Sequence, residues 1–172
     1  MTKAVLSIGS NVGDRLAHLQ SVVDGLGAAV RAVSPVYETE PWGGVDQDGF
    51  LNAVVVADDD ELDAYGWLRR GQEFERAAQR VRQQHWGPRT LDVDVIECRT
   101  GAAEVISHDD ALTLPHPHAH QRAFVLIPWL AVDPAATLTV QGKPREVAVL
   151  LAGLDPAERA GVRRTDLGLV AL

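Results

Sequence analysis

Lysine is nearly missing from this chain. Of its 16 basic residues only Lys3 and Lys143 are lysines, and it contains neither a Gly-x-x-x-x-Gly-Lys-Ser/Thr run nor a Gly-x-Gly-x-x-Gly run. Any bound nucleotide is therefore expected outside a P-loop or a dinucleotide fold. Cysteine is scarcer still. The lone Cys98 excludes an intrachain disulfide and a cysteine metal cluster, and it fits a reducing compartment. No apolar stretch approaches membrane-spanning length, and the first residues, Met1 to Ile8, are too short for a signal h-region. A cytoplasmic location is the expectation. Positive charge is in deficit as well. A formal net charge of −8 argues against nucleic acid or an anionic membrane surface as the main partner.

What is there suits a soluble globular protein. The 172 residues, 46% hydrophobic and 23% charged, predict one domain over residues 1–172 with a sizeable core. Lys3 to Ile8 reads as a strand. Leu16, Leu19, Val22, Val23 and Leu26 follow at helical spacing. Val30 to Glu38 reads as a second strand broken by Pro35, and Phe50 to Ala57 as a third. Leu62, Tyr65, Leu68 and Phe74 suit a second helix weakened by Gly66 and Gly71, residues 77–90 read as a charged loop, and Leu91 to Cys98 as a fourth strand. The acidic run Asp58-Asp59-Asp60-Glu61 reads as a solvated turn and helix start. The order β-α-β-β-α-β is the ferredoxin-like arrangement, an α+β antiparallel sheet. The last third reads as appended, mainly helical: Ala119 to Val132 with Pro128 inside, a short strand Thr137 to Val140, then Glu146 to Leu154.

The densest chemistry lies between Trp86 and Asp94. In Leu91-Asp92-Val93-Asp94-Val95-Ile96 apolar and acidic residues alternate, so Asp92 and Asp94 share one strand face with Cα atoms ~6.5 Å apart. Two such carboxylates invite a counter-charge, and a hard divalent cation such as Mg²⁺ favours carboxylate oxygen. Arg80, Arg82 and Arg89 lie just upstream, and arginines beside a carboxylate metal site point to a polyphosphate. The bland alternatives are a wet edge strand for the acids and a solvated helix end for Arg80 and Arg82. Phe50 and Asn52 open a strand in a chain that is 5% aromatic. They read either as a core ring and a bulge, or as a stacking surface and an amide that reads a heterocycle, with Phe124 as the opposing ring. Pro115-His116-Pro117-His118 with His120 and Arg122 lacks the cysteines of most zinc sites. It reads better as a rigid turn presenting one His and one Arg. Gln72 and Glu75 share a helix face, which on spacing alone is a solvent-facing pair.

Together these residues resemble the 6-hydroxymethyl-7,8-dihydropterin pyrophosphokinase family of folate biosynthesis. The matching pieces are Ser7-Ile8-Gly9-Ser10-Asn11, Tyr37-Glu38-Thr39-Glu40-Pro41, Phe50-Leu51-Asn52-Ala53, Gln72 with Glu75, Arg80 with Arg82, the run Trp86 to Asp94, and Leu114-Pro115-His116 with Arg122 and Phe124. The run from Trp86 to Asp94 is the most specific piece, and the resemblance fades after about residue 135.

The resemblance implies transfer of the β,γ-pyrophosphoryl group of ATP to the pterin 6-hydroxymethyl oxygen, releasing AMP. It assigns two Mg²⁺ ions to Asp92 and Asp94, for an in-line displacement. Asp94 also serves as a candidate proton acceptor. Charge on the phosphates would be met by Arg80, Arg82 and Arg89, the first two on a closing loop with Trp86. The pterin would lie between Phe50 and Phe124 and be read by Asn52 and by backbone near Thr39 and Trp42. ATP would be met by Gln72, Glu75, Trp86, Thr113, His116 and Arg122. Two departures stand out: Pro117 where many members have Tyr, and Gln83 where Lys is frequent. They predict altered loop dynamics and weaker nucleotide binding. Two rival readings are a glycosyltransferase, for which the chain is short, and a metal-independent ferredoxin-like small-molecule-binding domain without catalysis. With no apolar stripe to spare, a monomer is expected.

Overall fold

The computed structural model describes residues 2–40, 49–80 and 90–171. Its centre is a seven-stranded antiparallel sheet. The strands are β1 (Thr2–Ser10), β2 (Val30–Val33), β3 (Tyr37–Thr39), β4 (Phe50–Asp59), β5 (Asp92–Thr100), β6 (Ala103–Glu104) and β11 (Val162–Arg164). Their spatial order is β11-β3-β4-β1-β5-β6, with β2 also paired to β4. The expected second strand is thus two strands. Pro35 has no N–H for the ladder, and across the break the Ser34 hydroxyl accepts from the Val54 N–H at 2.9 Å while Ser34 N–H donates to the Val54 carbonyl.

Helices α1 (Arg15–Leu26) and α2 (Ala64–Arg80) cover one face. Asp14 caps α1 by accepting from the Ala17 N–H at 3.1 Å. Leu19, Val22, Val23, Leu26, Trp67 and Phe74 pack there against Ala4, Leu6, Ile8, Ala53, Val55, Val93 and Val95. The helix expected to be weakened by Gly66 and Gly71 runs unbroken to Arg80, so residues 77–80 are helical and not loop. Gly71 is a packing device: a Cβ there would stand 3.1 Å from Val93 Cγ1. The close approach of α2 to β5 offsets the propensity cost of glycine.

The opposite face carries Val5, Val54, Val56 and Ile96 beneath α3 (Ala123–Val132), whose Val125, Leu126 and Trp129 complete a second core. Pro128 lies inside α3. The stretch expected to begin this helix, Ala119–Gln121, is a separate 3-10 turn. A bulge in β5 opposite Val5 and Leu6 keeps both Ile96 and Glu97 buried. The remaining strands form two small hairpins: β7 (Ser107–His108) with β8 (Thr113–Leu114), and β9 (Thr137–Val140) with β10 (Lys143–Glu146). Helices α4 (Val147–Ala152) and α5 (Pro156–Ala160) precede β11. The appended third holds the expected strand Thr137–Val140 with further strands beside its helices, and its β11 joins the main sheet beside β3. Among the described residues no helix is long and apolar enough to cross a membrane.

Candidate active site

The α3 face of the sheet is only partly covered by α3. Beyond the N-terminal end of α3 the same face changes character, because its residues become small or polar. Strand register fixes the arrangement: Ser7 lies opposite Asp94, Gly9 opposite Asp92, and Asn52 opposite Gly9 on the other side. Thr39 pairs with Phe50, and Val162 with Thr39. Strands are spaced ~4.8 Å apart, so the acidic pair and Asn52 lie roughly 10 Å from one another across the floor. Above this floor is a cleft of about 900 Å³.

Asp92 and Asp94 are both half-buried on the cleft floor, as strand alternation predicts. Glu75 reaches from α2 to accept the N–H of Val93, between the two acids, at 3.2 Å. At the other end Asn52 is 4% exposed, and its Nδ2 donates to Thr39 Oγ1 at 3.2 Å. That bond orients the amide and leaves its Oδ1 over Gly9, where an added Cβ would stand 2.9 Å away. Phe50 and Phe124 both line the cleft. The Arg122 guanidinium lies 5.6 Å from the centre of the Phe124 ring, within cation–π range.

His116 stands beside the acidic end. Its N–H donates to the Ile96 carbonyl at 2.8 Å, and its Nδ1 accepts from the His118 N–H at 3.1 Å. Burial holds the imidazole below the usual histidine range; Arg122 and His118 push the same way, and Asp94 opposes them. With Nδ1 accepting, the neutral ring carries its hydrogen on Nε2.

Of the residues singled out from sequence, the cleft brings together Thr39, Phe50, Asn52, Asp92, Asp94, Arg122 and Phe124. His116 adjoins it through Asp94, and Glu75 supports its floor from below. Gln72 is exposed on α2, and Thr113 is exposed on β8 with its hydroxyl donating to the Asp109 carbonyl at 3.4 Å. Neither is among the described residues that line the cleft. Arg80 ends α2. Trp42, Arg82, Trp86 and Arg89 lie outside the described residues, as does Gln83.

The cleft also contains Ser7, Gly9 and Glu40, which the family pieces include but to which no role was assigned, and residues that sequence reasoning did not select: Gln121 and, from the C-terminal tail, Ala157, Glu158, Gly161 and Val162. Ser7 and Gly9 had a signal. They alternate with Leu6 and Ile8, so one face of β1 stops being apolar there. The tail residues had none, since pairing of β11 with β3 spans over a hundred residues of chain.

The acidic pair fits Mg²⁺. Among the described residues no group of three or more His, Cys, Asp or Glu could hold a metal. Mg²⁺ needs no such cage, being held by one or two carboxylates with substrate phosphates and water.

Comparison with known proteins identifies the relatives of this chain. Residues 5–134 match the family model described as 7,8-dihydro-6-hydroxymethylpterin-pyrophosphokinase. The chain is 62% identical over 168 residues to the 2-amino-4-hydroxy-6-hydroxymethyldihydropteridine pyrophosphokinase of Mycobacterium tuberculosis, covering 95% of this chain and 89% of that protein. It is 63% identical over 175 residues to the Mycobacterium leprae protein of that name (98% and 92% covered). With that of Methylorubrum extorquens it shares 42% over 170 residues, covering 96% of this chain and all of the relative. The fading expected after about residue 135 holds for the family model, while the mycobacterial similarity runs on into the tail. Among solved structures, a Plasmodium falciparum HPPK-DHPS triple mutant with pteroate superposes with a TM-score of 0.63 at 12% identity, covering 95% of this chain and 46% of the larger one. That likeness shows the fold. On the family match and these identities, the chain belongs to the 7,8-dihydro-6-hydroxymethylpterin-pyrophosphokinase family and is a pyrophosphokinase.

Proposed function

We propose that this protein transfers the β,γ-pyrophosphoryl group of ATP to the hydroxymethyl oxygen of 6-hydroxymethyl-7,8-dihydropterin, releasing AMP, as a step of folate biosynthesis. The observation that carries the reading is the division of one cleft into two ends. Asp92 and Asp94 lie at one end, with Arg122 and His116 near them. Asn52, Thr39 and Phe50 lie at the other, and Phe124 lines the cleft beside Arg122.

The heterocycle end suits a flat, polar ring. Phe50 and Phe124 offer apolar faces for stacking. Asn52, already committed to Thr39 through one hydrogen, has its carbonyl and a second N–H left to read a donor-acceptor edge. A buried amide rejects analogues that leave it unpaired. At the acidic end, Asp92 and Asp94 would hold two Mg²⁺ ions, which supply electrostatic stabilisation of the phosphate oxygens in an in-line displacement. His116 keeps a neutral donor at Nε2 for the nucleotide, and Arg122 adds a fixed cation. Glu75 braces the backbone between the two acids, a supporting role in nucleotide binding. Arg80, Arg82 and Arg89, with Trp86 and Trp42, complete the site by family resemblance. A metal-independent binding domain, the rival reading, has no use for paired acids on the floor of its cleft.

The test is AMP formation from ATP, Mg²⁺ and 6-hydroxymethyl-7,8-dihydropterin, compared with Asp92→Ala, Asp94→Ala. AMP that needs both pterin and metal and vanishes in the double variant is the expected result. ADP in place of AMP would mean attack at the γ-phosphorus and overturn the reading.

A further inference from the structure

The tail beyond α3 builds one wall of the cleft. Strand β11 pairs with β3 so that Val162 lies opposite Thr39, and Gly161, Val162 and Glu158 line the cleft. The tail is sewn down on several elements. Thr165 donates twice to the Val36 carbonyl, from its N–H at 3.0 Å and its hydroxyl at 2.8 Å. Arg163 meets Glu38 at 3.3 Å and Glu40 at 2.9 Å, and Val170 exchanges two hydrogen bonds with Gln20.

Helix α3 has a gap at its start. Arg122 occupies the capping position and makes no side-chain cap, which leaves the first N–H groups without an intrahelical acceptor. Glu158 supplies one from 35 residues away, accepting the Ala123 N–H through Oε1 at 3.2 Å. A carboxylate at that place also meets the positive end of the helix dipole. Ala123 lies between Arg122 and Phe124, so the bond fixes the turn from which the Phe124 ring enters the cleft.

We propose that Glu158 is a positioning residue for the pterin. Held on the Ala123 N–H, it anchors the first turn of α3 and so sets the Phe124 ring at its stacking distance. This rests on the function proposed above. The anchoring needs an acceptor, not a charge, and it acts on the ring that stacks the heterocycle.

Three variants test it, each assayed for AMP formation with pterin and ATP varied separately. Removing a cap of this kind is worth about a five- to tenfold change. Glu158→Ala is therefore expected to raise the pterin KM by about that factor, with the ATP KM within about twofold of wild type. Glu158→Gln keeps an oxygen acceptor and is expected to restore the wild-type pterin KM. Glu158→Asp keeps the charge but is one methylene shorter; it is expected to lose affinity for pterin, and it serves as the readout should the alanine variant not fold. An unchanged pterin KM in the alanine and aspartate variants, an equal rise in both KM values, or a glutamine variant as impaired as alanine would each overturn the proposal. Failure of the wild type to form AMP would overturn the functional reading and this inference with it. An active wild type with an indifferent Glu158 overturns this inference alone.

Discussion

Gly9→Ala replaces one hydrogen on the cleft floor with a methyl group. Gly9 sits on the floor between Asp92 on β5 and Asn52 on β4. Its new Cβ would stand 2.9 Å from Asn52 Oδ1, with Leu51 O and Phe50 Cδ1 both at 3.7 Å. A separation of 2.9 Å is inside van der Waals contact, so something must move. The Leu51 oxygen belongs to the sheet ladder and resists. Asn52 is the softer partner, but it is 4% exposed and tied to Thr39. Shifting its amide strains or breaks that bond, which costs about 1 kcal/mol, and overpacking adds roughly 1–3 kcal/mol. On the function proposed above, the amide then no longer meets the heterocycle edge. An unmatched polar group in a closed site loses about 1–3 kcal/mol of binding, which is about a five- to 150-fold rise in pterin KM. The acidic end is untouched, so the ATP KM should change by less than about threefold. The assay is AMP release with each substrate varied in turn, alongside urea denaturation to confirm a folded enzyme. A folded Gly9→Ala protein with wild-type pterin KM would refute the placement of Asn52 as the reader of the heterocycle.

Two further outcomes follow from the same structure. Burial pushes the Glu97 carboxyl up, against the opposing pull of Arg99, which holds both its oxygens at 2.8 and 3.0 Å. With the folded-state pKa above the unfolded value of about 4.3, the folded protein holds the extra proton between them, and stability from this group falls as pH rises through that window. Glu97→Gln should flatten that part of the pH dependence in urea unfolding at stepped pH, and an unaltered slope would contradict it. Trp67→Phe removes an indole that is 1% exposed and donates to the Thr2 hydroxyl at 2.7 Å. A loss of about 1–3 kcal/mol in denaturant stability is expected with kcat unchanged, because Trp67 belongs to the core on the far face of the sheet. A fall in kcat at full folding would break that separation of faces.

Alternation and helical spacing made the core legible. The four expected strands, the two helices and their ferredoxin-like order were readable because burying one face of an element stamps a period on its sequence. The acidic pair was legible for the same reason: residues two apart on a strand must share a face. Breaks in local rules were less reliable. Gly71 argued against a helix that packing against Val93 requires, whereas Pro35 did mark the break that makes one long strand two. The sequence by itself determined the family, the sheet that carries the cleft and the placing of Asp92 and Asp94 on one strand face. Only tertiary structure decided that α3 stops short of covering the sheet face, which turns Ser7, Gly9 and Asn52 from strand residues into a cleft floor. It also decided that Glu158 and Val162 close the cleft. Pairing across that much chain follows from backbone hydrogen bonding at a sheet edge, which any extended segment can satisfy and which therefore leaves no pattern in the residues themselves.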